Sequence, residues 1–384
     1  MMPRETLAAR IRDHFDWPLF ICTALISVIG VVNLYSATSV YEGTNRAGLY
    51  ISQVQWLVVG SIFGGIAIAV DYRHLERIAY LLWGFGVISL IAVFFVSNTN
   101  ASSTVRNAAR WIPIGSFQFQ PSEFMKLYLV IALAKYLHDD PRPEGRGLKE
   151  LAIPGILTAV PAFLILRQPD LGTASILVFS FFTIAALTKV RWKSVAMFFG
   201  AAGSASYFIY NYGLQGYQKQ RIDTFLNPEA DVQGTGYHAH HARIAIGDGG
   251  LLGTGFGNGT QNQFRFIPDQ YTDFPFPVFA EEWGLVGACV LVSLYLFLGV
   301  WSVKVASQAK DRFGAILALG AGAIIFWHAF INMGMAAGIL PVVGVTLPLF
   351  SYGGSSMLTM LMAVSLVMNV SMRRHSGVPT SEQL

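Results

Sequence analysis

GYHAHHARIAIGDGGLLGTGFGNGTQNQFRFIPDQYTDFPFPVFAEEWG, residues 236–284, concentrates polar chemistry in a chain that is otherwise mostly apolar helix. It is rich in glycine, carries Arg243, Arg265, Asp269 and Asp273, and runs straight into an apolar segment. Such a stretch is expected where a water-facing site is built on a membrane scaffold.

The remaining sequence supports that scaffold. With 384 residues, 53% hydrophobic, 12% charged and a mean hydropathy of +0.49, the chain lies outside the soluble globular range. We expect a single all-α polytopic membrane domain spanning residues 1–384. A formal charge of +4 is too small for a nucleic-acid surface, so nucleic acid is not an expected partner. Cys22 and Cys289 lie inside apolar segments and read as small core residues, not a disulfide. The charged start MMPRETLAARIRDHFDW leads into a full-length apolar span without a small-residue cleavage site, so a retained first helix is expected, not a signal peptide.

Apolar runs of about 17 to 25 residues, the length that crosses a bilayer, begin near Trp17, Ile51, Glu76, Pro121, Glu150, Leu171, Lys193, Pro277, Phe313 and Pro348. They predict ten transmembrane helices, with a long loop at about 212–276 between helices 7 and 8. Lys and Arg favour the cytoplasmic side, and sixteen of the 26 basic residues fall in alternate connections if both termini are inside. The long loop is then extracytoplasmic. Its aromatic content argues against disorder, and short surface helices such as Tyr237–Ile246 are expected within it.

The candidate residues each have a structural alternative. Glu123 and Lys126 share a helix face at i, i+3 and can offset each other's desolvation, either as a fixing ion pair or as part of a site. Asp170, before an apolar run, reads first as a helix N-cap. His238, His240 and His241 do not share one helix face and have no acidic neighbour, which argues against zinc. The glycines from Gly247 to Gly259 suit either an anion cradle of backbone N–H groups or a plain connector. Asp273 precedes FPFP and an apolar helix. A carboxylate between water and apolar walls near arginine suits a general base, while a helix-proximal cap is the alternative. Pro341, Gly344, Pro348, Gly353 and Gly354 break the helical pattern at membrane depth, as irregular backbone does where it lines a cavity. Ser351 and Ser355 give that stretch a polar face, and a small-residue packing motif is its rival reading.

Six motifs in order resemble the SEDS family (shape, elongation, division and sporulation). They are NLYSAT at 33–38, RWIPIGSFQFQPSEFMK at 110–126, QPDLGTA at 168–174, AIGDGGLLGTG with GTQ in the long loop, PDQYTDFPFPVFAEEWGLVG at 268–287, and LPVVGVTLPLFSYGGSS at 340–356. YQKQRIDTFLNPEADVQGTGYH and the short tails place the chain nearer the elongation branch than the division branch. It departs from the common pattern at His241, Ala242, Asp248, Gln270, Thr346 and the two prolines of FPFPV.

The resemblance implies a glycosyltransferase of the bacterial plasma membrane that polymerises lipid II into peptidoglycan. Asp273 would be its general base and undecaprenyl diphosphate the leaving group. Arg110, Arg221 and Arg243 are the candidate diphosphate ligands, with or without a divalent cation (Mg or Mn). Glu123, Lys126, Asp170, Ser351 and Ser355 would line the cavity. Implied partners are a class B penicillin-binding protein, which is a transpeptidase, and other membrane proteins of the elongation complex. A division-type polymerase, a flippase for lipid-linked sugars and a non-catalytic scaffold are the alternatives.

Overall fold

The computed structural model describes residues 14–41, 44, 46–99, 110–115, 117–142, 145–188, 190–191, 210–211, 216–226, 236–267 and 269–374. Nine of the ten expected spans coincide with helices: α1 (Trp17–Ser39), α2 (Leu49–Ala69), α3 (Arg73–Thr99), α4 (Pro121–Asp139), α5 (Ala152–Arg167), α6 (Leu171–Leu187), α10 (Pro275–Ser307), α11 (Arg312–Ala336) and α12 (Gly354–Arg373). The span expected near Lys193 lies outside the described residues. Among the described residues between α6 and α10 are three short helices: α7 (Gly216–Leu226), α8 (Tyr237–Asp248) and α9 (Thr260–Gln263). The predicted surface helix at 237–246 is therefore present. A two-stranded hairpin, β1 (Ile112–Ile114) with β2 (Phe117–Phe119), fills part of the α3–α4 connection. The sequence reading had no strand there.

Six of these helices are long and apolar enough to cross a membrane, and the chain is a multi-pass membrane protein. Its polar positions follow membrane logic, in which every backbone group finds a partner inside the protein. Asp16, Asp170 and Asp311 accept N–H bonds at the starts of α1, α6 and α11, closing helix ends that water would otherwise solvate. Pro161, inside α5, removes the N–H that would bond the carbonyl four residues back. That carbonyl, on Leu157, accepts the indole N–H of Trp83 at 3.0 Å. The core is built from α4, α11 and α12, which pack on one another. Large apolar side chains of α2 and α3, such as Ile62, Leu81 and Phe95, face outward.

The decisive irregularity is inside α10. Gly284 has φ 65° and ψ −167° and breaks the helix. The loop after α8 fills the break. The Leu285 N–H donates to the Gly250 carbonyl at 2.9 Å, and Val286 donates to Leu251 at 3.2 Å. In return Thr254 and Gly255 donate to the carbonyls of Glu281 and Glu282 at 2.9 and 3.1 Å. Such an approach leaves no room for side chains. A Cβ on Gly253 would lie 2.1 Å from the Glu282 carbonyl, one on Gly249 2.1 Å from that of Ala280, and one on Gly284 2.3 Å from the Gly253 nitrogen. These three glycines serve backbone packing, which corrects the anion-cradle alternative at Gly249 and Gly253. The last span is also corrected. It starts at Gly354 and not near Pro348, because 341–353 is irregular backbone.

Gly284→Ala is expected to combine a left-handed backbone cost of roughly 1–2 kcal/mol with a backbone clash. The variant should lose several degrees of thermal stability in detergent or fail to give monodisperse protein. Gly65→Ala, where an added Cβ meets nothing within 4 Å, should elute and melt like the parent chain.

Candidate active site

Asp273 ends a tight turn whose hub is the Asp269 carbonyl, which accepts the N–H groups of Thr272, Asp273 and Phe274 at 3.1–3.2 Å. Each neighbour pins the turn to a different element. Gln270, fully buried, donates from Nε2 to the Ala37 carbonyl at the end of α1 at 2.7 Å. Tyr271 accepts the Tyr352 N–H at 2.8 Å. Phe274 is buried, and the ring of His238 stacks on it at 6.0 Å. Asn332, buried in α11, donates to the Asp273 carbonyl at 2.8 Å and to the Val345 carbonyl at 2.6 Å. The Asp273 side chain is half-buried and faces Gly344. A Cβ built there would sit 3.2 Å from its Oδ2. Gly344 also has φ +72°, so two independent constraints demand glycine beside this carboxylate.

Behind that segment lies a buried polar chain. Lys126 is 1% exposed; its Nζ donates to Glu123 Oε2 at 2.8 Å and meets His328 Nε2 at 2.7 Å. The other ring nitrogen of His328, Nδ1, lies 3.2 Å from the Thr346 carbonyl. Thr346 Oγ1 is 2.8 Å from Ser356 Oγ. The predicted Glu123–Lys126 pair is thus present, and His328 and Asn332 join it to the backbone that faces Asp273. Neither of the latter two stood out in the sequence. Their signal is an imidazole and an amide at i, i+4 in an otherwise apolar helix, which places both on one face.

The remaining candidates are distributed around this centre. Arg110 donates to the Gln168 carbonyl from Nε at 3.1 Å and to that of Pro169 from Nη2, so it ties the α3–α4 connection to the α5–α6 turn. Asp170 caps α6, accepting the N–H and hydroxyl of Thr173 at 3.1 and 3.0 Å. Ser351 accepts the Leu347 N–H at 2.7 Å, and Ser355 links to Gln118 and Gln120 of the hairpin side at 3.2 and 3.1 Å. Half-buried Tyr352 has its phenol pKa raised by burial.

Arg221 and Arg243 come together. They line a small cavity of about 40 Å³ with Thr224, Phe225, Gly338 and Leu340. The Arg243 chain runs 2.9 Å from the place a Cβ would take on Gly338, whose φ is +75°. Among the described residues, the three histidines do not gather into a ligand-type cluster. His241 bonds Gln261 at 2.8 Å and stacks on Phe266 at 5.0 Å. Among the described residues the ligand-type cluster is Glu76, His138 and Asp139, on helices remote in sequence from the loop, where Lys135 already pairs with Glu76 at 3.1 Å and Asp139 at 2.8 Å.

An acid on a braced turn, two arginines gathered at a small cavity and long apolar helices define an integral-membrane protein with polar groups held inside it. The chain belongs to the FtsW/RodA/SpoVE family, whose model, described as "Cell cycle protein", matches residues 16–376. It is 35% identical over 316 residues to the peptidoglycan glycosyltransferase MrdB of Escherichia coli K12, covering 82% of this chain and 85% of that protein. It superposes with a TM-score of 0.79 and 29% identity on a chain of a peptidoglycan synthase complex that coordinates polymerization and crosslinking, covering 94% and 99% of the two chains. The rod shape determining protein RodA of Thermus thermophilus gives a TM-score of 0.69 at 28% identity, covering 94% and 98%.

Gly344→Ala should crowd the Asp273 carboxylate and strain the backbone by about 1–3 kcal/mol. Turnover of purified protein should fall at least tenfold while the helical circular dichroism signal is retained.

Proposed function

We propose that this chain is the peptidoglycan glycosyltransferase of cell elongation, with Asp273 as the general base. The observation that supports the assignment most directly is the placement of a half-buried carboxylate on a turn fixed to α1 and α11, beside a glycine of positive φ whose Cβ would crowd it. A base held in this way has little freedom to turn away from its proton.

In the reaction the Asp273 carboxylate takes the proton of the acceptor hydroxyl on lipid II. The oxygen attacks the anomeric carbon of the growing strand and inverts it. The bond to undecaprenyl diphosphate breaks, and its electron pair leaves with the diphosphate. A positioned base contributes typically 10²- to 10⁴-fold. Diphosphate needs charge stabilisation instead of a second acid, and the Arg221–Arg243 cavity, walled in part by Gly338 and Leu340, offers two such charges. A Mg or Mn ion bound with the diphosphate would add to that charge stabilisation.

The distribution of Lys and Arg supports cytoplasmic termini and an extracytoplasmic site in the plasma membrane. Likeness to a chain of a synthase complex supports a transpeptidase partner, a class B penicillin-binding protein, beside the chain.

Asp273→Asn keeps size and removes the base. Gel analysis of lipid II polymerisation should show loss of at least about 10²-fold with unchanged thermal stability; a variant that still makes long strands would sink the assignment. Arg243→Ala should raise KM for lipid II about tenfold or more, a loss of charge-assisted bonding, with a smaller effect on kcat.

A further inference from the structure

His328 is the lone titratable side chain between Arg312 and the end of α11, and it is 1% exposed. A side chain this polar at membrane depth calls for a specific account of its partners. Its two ring nitrogens face groups of opposite kind. Lys126, paired to Glu123 at 2.8 Å, is an ammonium and can only donate, so Nε2 at 2.7 Å must accept. The Thr346 carbonyl at 3.2 Å can only accept, so Nδ1 must carry the hydrogen. The partners therefore select one neutral tautomer and one ring orientation.

We propose that His328 is a positioning residue for polymerisation, joining the Glu123–Lys126 pair to the backbone segment Gly344–Thr346 that bounds the Asp273 carboxylate. Residue 346 is then held from two sides, by His328 at its carbonyl and by Ser356 at its hydroxyl. Residue 345 is held by Asn332, one helical turn beyond His328, and the same amide holds the Asp273 carbonyl. Gly344, facing Oδ2, is the next residue along. One face of α11 thus sets the spacing between the base and the backbone opposite it. A buried ammonium with Glu123 as its sole acceptor would hold α4 together without this link; the second bond of the imidazole is what carries the constraint across to the site.

The inference rests on Asp273 being the base, and the test separates the two. In detergent, with lipid II as substrate, His328→Phe keeps the ring and removes both bonds. The expected result is a kcat lower by about ten- to a hundredfold, the scale of a small displacement at a reacting centre, with KM within about twofold. His328→Gln, whose amide supplies one acceptor and one donor, should recover kcat to within about threefold. Full turnover by His328→Phe, or a loss that Gln does not relieve, overturns the inference. Should His328→Phe fail to fold, His328→Asn decides by the same measure, because its shorter amide reaches Thr346 but not Lys126. Asp273→Asn runs alongside: polymerisation there at close to the parent rate removes the base assignment, whereas the expected loss of about 10²-fold or more with a fully active His328→Phe removes only the role of His328.

Discussion

The break in α10 at Gly284 is the constraint on which the site depends. A helix interrupted inside a membrane leaves carbonyl and N–H groups without partners, a situation hydrocarbon does not tolerate. Here four backbone bonds from residues 250–255 supply them. The exchange fixes a polar loop against an apolar helix, and it makes the two short turns before the break a separate stub. Asp273 stands directly ahead of that stub. The loop is therefore both the filling of the break and the support for the acid.

Around this joint the buried side chains act mainly as acceptors and donors for backbone. Asn33 reaches the Pro275 carbonyl at 3.2 Å, Asn262 reaches Ser36 at 3.2 Å, and Glu281 accepts from Gln261 and Thr260 at 2.9 and 3.1 Å. Glu282 accepts the hydroxyl of Ser36. The pair Glu281 and Glu282, adjacent in sequence, serves two different walls because consecutive helical residues point about 100° apart. Glu281 and Glu282 are thus occupied in holding the loop and α1, whereas Asp273 is half-buried.

Much of the fold was legible because a bilayer imposes length and apolarity on each span; α1, α2, α3, α10, α11 and α12 meet both conditions, while α5 and α6 are apolar but shorter. What escaped was local. The 112–119 hairpin has no hydrophobic alternation strong enough to separate it from loop. The Gly284 break hides inside EEWGLVG, where a glycine costs little by composition and its φ is set by the loop that meets it. The glycines of 249–253 were ambiguous because a ligand and a neighbouring backbone exclude Cβ alike. For the site, Asp273 was visible as an acid at a helix entry, and Glu123 with Lys126 by spacing. Asp170 resolved to its capping role. His328 and Asn332 were not visible, since their partners, Lys126, Thr346, Asp273 and Val345, are set by packing between α4, α11 and the irregular segment after it.

The loop that seals the break also carries Leu251 and Leu252, which are 70% and 81% exposed. Apolar side chains this exposed gain by leaving water. The same backbone exchange that closes the break therefore also fixes where this greasy tip is presented to the chain's surroundings.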